Sequence, residues 1–143
     1  MSIQKNMMLR NVNVIQEYLT LLKEYDDKLI IFAVKDTPGL RFSKQLDQQL
    51  KQLGLSQQLE GKHWCGYLAI IDSGKVLLEK LGKINETVED KREITEGIEV
   101  KLKSSPLNAE NQVEIVINDI DYADKKRGLN IVVFDKEVLY MID

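Results

Sequence analysis

The stretch Leu29-Ile30-Ile31-Phe32-Ala33-Val34, running into Lys35-Asp36-Thr37-Pro38-Gly39, decides how the rest of the chain is read. Its six apolar residues, three of them β-branched, are too few for an amphipathic helix and suit a buried strand. The turn after it is written in Pro38, which fixes φ, and Gly39, which supplies the freedom that follows. Two further segments read as strands, Trp64 to Ile71 and Leu129-Asn130-Ile131-Val132-Val133-Phe134.

Helices fall between them. From Val12 to Tyr25, Val12, Ile15, Tyr18, Leu19, Leu22 and Tyr25 recur at helical spacing and form a core-facing stripe. Ser43 to Leu53 is a second helix, with Ser43 as its N-cap and Leu46, Leu50 and Leu53 on one face. Gly54 stands where a left-handed residue ends such a helix. Asp72-Ser73-Gly74 is a tight turn, and Val76 to Leu81 returns from it as a hairpin partner. Lys83 to Asn111 reads as a charged, solvated connection ending in Ser104-Ser105-Pro106. Within it, Ile98, Val100 and Leu102 alternate with charges as one exposed strand. Val113, Ile115 and Ile117 alternate likewise, Tyr122 to Gly128 is a charged turn, and Asp135-Lys136 turns the chain into a return from Val138 to Ile142.

The 143 residues, 43% hydrophobic and 30% charged, suit one globular domain. Lys and Arg number 20 against 23 Asp and Glu, a net charge of −3, which lacks the basic excess of a nucleic-acid binder. No apolar run approaches the roughly 20 residues of a membrane span, and Met1 to Arg10 lacks a signal peptide's apolar core. One Cys and one His exclude an intrachain disulfide and a four-ligand Cys/His zinc cage.

Several motifs lead nowhere. Asp36-Thr37-Pro38-Gly39 spells a GTPase switch, but no P-loop accompanies it. His63 and Cys65 share one face of an extended strand, a poor arrangement for a nucleophile and its base. Asn85-Glu86-Thr87 fits the N-glycosylation acceptor by chance, and Asp119, Asp121 and Asp124 lack the Gly and Glu of a calcium loop. Neither Gly-x-Ser-x-Gly nor Gly-x-Gly-x-x-Gly occurs. The expectation is a non-catalytic protein without metal or cofactor.

Three segments together resemble one family. They are Leu29 to Asp36 with a following helix that ends Leu53-Gly54, then Trp64-Cys65-Gly66-Tyr67-Leu68-Ala69-Ile70-Ile71, and Lys126-Arg127-Gly128-Leu129-Asn130-Ile131-Val132-Val133-Phe134-Asp135. The set resembles the ILEI/PANDER domain, also found as the stem domain of protein O-mannose N-acetylglucosaminyltransferase. The likeness covers roughly residues 12–82 and 113–143. In the family the Arg-Gly strand precedes the Asp turn, and here it follows. The chain therefore reads as a circularly permuted domain or as a slice across two tandem domains that pairs with a second copy by strand swapping. The expected organisation is one domain over 1–143, with a first half (1–82), a charged connection (83–112) and an Arg-Gly half (113–143).

The resemblance implies an α+β fold, a sandwich of two twisted, mostly antiparallel sheets with short flanking helices. It implies a carbohydrate-binding module, serving glycan synthesis or surface and fibre attachment, with Arg127 and Asp36 in the sugar site and Trp64 or Tyr67 as stacking platform. Trp64 and Cys65 occupy the places of the family's Arg-Asp pair, and Lys62 or His63 would have to stand in. The alternative is a protein-interaction or assembly domain that recruits its partner at sandwich edges. The family's cysteines are missing, which fits a cytoplasmic microbial or viral relative, with secretion left open.

Overall fold

A computed structural model of the chain describes residues 2–7, 12–38, 44–95 and 97–137, with side chains from 17 onward. In chain order the elements are β1 (Ser2–Met7), α1 (Val12–Leu22), β2 (Leu29–Lys35), α2 (Lys44–Gln52), β3 (Cys65–Asp72), β4 (Lys75–Ile84), β5 (Val88–Thr95), β6 (Ile98–Ser104), β7 (Val113–Ile117), β8 (Ile120–Asp121) and β9 (Gly128–Phe134). They build a five-stranded sheet ordered β1-β9-β2-β3-β4 and a four-stranded sheet ordered β5-β6-β7-β8. Every strand pair is antiparallel, so the α+β sandwich expected from the sequence is the architecture found.

The apolar runs are continuous because the first sheet is covered twice. Ile30, Phe32, Val34, Tyr67, Ala69, Leu129, Ile131 and Val133 pack on Leu19 and Leu22 of α1 and Leu46 and Leu50 of α2. The alternate residues Leu29, Ile31, Ala33, Leu68, Ile70, Val132 and Phe134 meet Ile98, Val100, Leu102, Val113, Ile115 and Ile117 of the second sheet. Each of the larger aliphatic side chains and Phe contributes about 1.5–3 kcal/mol by leaving water.

The charged connection is a correction. Residues 83–112 carry the end of β4, all of β5 and all of β6, and Ile98, Val100 and Leu102 are fully buried rather than exposed. The charges line the outer face of the second sheet, where Lys91 meets Glu99 at 3.6 Å, Lys103 meets Glu89 at 3.6 Å and Lys101 lies 4.0 Å from Glu114. Solvated pairs of this kind are worth about 0–1 kcal/mol each, so they mark the wet side rather than hold the fold.

Other boundaries shift little. Strand β3 begins at Cys65, one residue after Trp64, and β1 adds an unanticipated edge strand. The turn after Asp72 has Ser73 and Gly74 both at positive φ (50° and 80°), and Gly54 is left-handed at 101°. The proposed cap Ser43, the turn residue Gly39 and the return from Val138 to Ile142 lie outside the described residues.

Candidate functional site

One end of the five-stranded sheet gathers most of the expected site residues. There β2 finishes, β3 starts and β9 starts, and Lys35 pairs with Gly128 across β2 and β9. This pairing carries Arg127, from the far end of the chain, to Asp36. The guanidinium Nε donates to Asp36 Oδ2 at 2.9 Å. Arg127 is half exposed, whereas the Asp36 side chain is only 10% exposed and its Oδ1 is buried without a partner. A carboxylate oxygen in that state has unused acceptor capacity.

Asp36 adopts a left-handed backbone at φ 70°, a conformation that Asp tolerates. Its N–H donates to the Ser105 carbonyl at 3.3 Å, which ties the turn to the second sheet. Arg127 is steadied by Asn130 behind it. The buried Asn130 amide donates to the carbonyls of Lys126 and Gly128 at 3.0 and 3.2 Å and accepts from the Lys125 N–H at 3.1 Å.

Trp64 stands just before β3. Its N–H donates to the Thr37 hydroxyl at 3.4 Å, and its carbonyl accepts from the Asn85 N–H at 2.8 Å. It too is left-handed, at φ 59°, an outlier for so bulky a residue that costs of order 1–3 kcal/mol. The side chain is 44% exposed. Trp64 precedes β3, which starts at Cys65, so its left-handed backbone rather than the pleat of the strand sets where it faces.

Tyr67 does not belong to this surface. It is fully buried in the core under the helices, and its hydroxyl donates to Glu79 Oε2 at 2.8 Å. Burial first, and the Glu79 carboxylate second, push its pKa well above the usual tyrosine value. No ligand reaches it to stack.

His63 sits beside Trp64, with ring centroids 6.4 Å apart at 62°, and its Nδ1 is buried without a partner. The Cys65 thiol, 3.6 Å from the His63 carbonyl, interacts with the backbone rather than the ring. Burial raises the Cys65 pKa against a smaller lowering effect of Lys62. That disfavours the thiolate a nucleophilic pair requires. The acidic turn is occupied by structural work: Asp121 Oδ1 accepts from the N–H groups of Ile115 and Ala123, and Oδ2 pairs with Lys125 at 2.8 Å.

Sequence reasoning missed Thr37, which is 1% exposed and holds Trp64, and Ser105, which joins Asp36 to the second sheet. It also missed a shallow polar groove of about 190 Å³ next to the site, lined by Lys35, Asn111, Gln112, Val113, Glu114 and Lys125. The one available signal was Lys35 itself, a cation set between an apolar strand and an Asp turn. No protein-family model, curated protein or solved structure matches the chain.

Proposed function

We propose that the chain is a non-catalytic carbohydrate-binding module of the ILEI/PANDER kind, circularly permuted, working in glycan synthesis or in attachment to a surface. The observation that carries this reading is the Asp36–Arg127 pair beside the outward-turned Trp64. A half-exposed guanidinium, oriented by the Asp36 carboxylate, donates to sugar ring, hydroxyl or amide oxygens, and an exposed indole offers an apolar face. Two left-handed residues, Asp36 and Trp64, hold this arrangement at a local conformational cost, a pattern concentrated at binding sites. The chemistry uses no group that must change protonation.

Recruitment through strand edges has less support. Arg92 donates to the Leu77 carbonyl of β4 at 3.0 Å, Lys80 donates to the Glu89 carbonyl of β5 at 3.0 Å, and β8 is two residues long. Charged side chains at an edge discourage strand addition.

The test is binding of the full chain to a broad glycan panel, with Arg127→Ala and Asp36→Asn alongside. Binding to a defined saccharide that both substitutions remove, in variants with unchanged circular dichroism, is the expected result. A folded wild-type protein that binds nothing on the panel overturns the proposal.

A further inference from the structure

The groove beside the site narrows the class of saccharide. Building on the carbohydrate reading, we infer that the ligand is an acidic glycan, a carboxylated or sulfated sugar, whose anionic group is received by Lys35.

The cations at this end of the sandwich are unequal. Arg127 is paired with Asp36 at 2.9 Å, Lys125 with Asp121 at 2.8 Å and Lys126 with Asp124 at 3.7 Å. Lys35 differs. Its Nζ donates to the Lys125 carbonyl at 3.3 Å and makes no ion pair among the described residues. An ammonium with one long bond to a neutral acceptor keeps donors and charge for an incoming anion.

Its position suits that use. Lys35 follows Ala33 on the face of β2 that looks toward the second sheet, so it stands at the mouth between the two sheets. Asn111 lines the same groove, in a left-handed turn at φ 51°, with its Oδ1 buried and unpartnered. Glu114 also lines the groove, but alternation along β7 places its side chain on the outer face, 4.0 Å from Lys101.

Groove and site are joined through the backbone. Lys35 adjoins Asp36 in sequence, and Ser105 links them across the sheets: its N–H donates to the Gln112 carbonyl at 2.8 Å and its carbonyl accepts from the Asp36 N–H at 3.3 Å. A volume near 190 Å³, the space of about six waters, accepts one sugar ring. A chain of two or three residues would thus lie from Trp64 across Arg127, with its acidic residue at Lys35.

The experiment titrates the full chain with uronic-acid oligosaccharides, their methyl esters, sulfated oligosaccharides and neutral ones, at low and at physiological salt. The methyl ester keeps the sugar and removes the charge. The expected result is about tenfold tighter binding of the acid, or of the sulfate, than of its uncharged counterpart. Lys35→Met should abolish that preference, bringing the acid to the affinity of its methyl ester, and Lys35→Arg should restore it. Equal affinity for acid, sulfate and uncharged forms in the wild type overturns the inference and leaves the carbohydrate reading standing. So does a preference that Lys35→Met leaves unchanged in a folded protein. Absence of binding to every saccharide overturns both.

Discussion

Replacing Ser104 with alanine should cost about 2–5 kcal/mol of stability, far more than the loss of one small hydroxyl suggests. The direct ladder between β2 and β3 ends at Ala33 and Leu68. The next residues, Val34 and Tyr67, are bridged instead by the Ser104 hydroxyl, which enters from the second sheet. It donates to the Val34 carbonyl and accepts from the Tyr67 N–H at 2.9 Å. Ser104 is completely buried, so alanine leaves two backbone groups without partners and without water. Each such group costs roughly 1–3 kcal/mol, against a total stability of about 5–15 kcal/mol for an ordinary domain. Equilibrium urea unfolding measures the difference. With a slope of about 1–3 kcal/mol per molar, the midpoint should fall by at least about 0.7 M. Hydrogen exchange at the Tyr67 amide should accelerate, and Ser104→Thr, which keeps the hydroxyl, should recover part of the loss. A change below about 0.5 kcal/mol with the Tyr67 amide still protected would mean that the strands close on each other unaided, and the bridging role would be refuted.

Three other outcomes are expected. A Cβ on Gly66 would lie 2.7 Å from the Ser104 carbonyl oxygen, so Gly66→Ala should force the sheets apart and cost about 1–3 kcal/mol by urea unfolding; a neutral result would show that the sheets yield freely there. Burial, reinforced by Tyr25, pushes Tyr18 to about 12, and burial with Glu79 holds Tyr67 well above its ordinary 10.0. The folded protein therefore keeps protons that the unfolded chain releases near pH 10, so stability is full below pH 10 and declines above it; a spectrophotometric titration should show two late tyrosines, and Tyr67→Phe should flatten the decline. Arg92→Ala frees the Leu77 carbonyl on the edge strand β4 and leaves Asp90, now held at 2.7 Å by Arg92, with only Lys80 at 4.0 Å, so light scattering should report faster self-association on heating than in the wild type, and an unchanged rate would remove the edge-guarding role.

The central strands of the first sheet, β9, β2 and β3, were legible because they are apolar on both faces, and an apolar run needs no periodicity to be read. The second sheet was not, for a physical reason that β5 illustrates. Its inner face should alternate Val88, Asp90, Arg92 and Ile94 with the outer Glu89, Lys91 and Glu93. At the sandwich margin two of those inward positions are charged and satisfy each other, with Arg92 Nε 2.7 Å from Asp90 Oδ2. The pairing is a tertiary fact, invisible until β4 supplies the Leu77 carbonyl as third partner. Without it the segment reads as uniformly charged and therefore as solvated chain. In β6 the apolar alternation was visible, but its burial was not, since alternation alone does not say what covers the apolar side.

The site divides in the same way. Asp36 and Arg127 were nameable only through the family resemblance, because nothing local in Lys125-Lys126-Arg127 distinguishes the third cation from the first two. What distinguishes it is the register that sets Lys35 opposite Gly128, a property of the β2–β9 pairing. Trp64 and Tyr67 exchanged their plausible roles through the backbone. Both are large aromatics at the head of one strand, yet one left-handed residue turns Trp64 outward before the pleat begins, while the pleat drives Tyr67 under the helices. Side-chain chemistry alone ranks the two equally as platforms. The φ of Trp64 decides between them, and Thr37 and Asn85, which fix that φ by bonding its N–H and carbonyl, lie in separate turns that no local pattern connects.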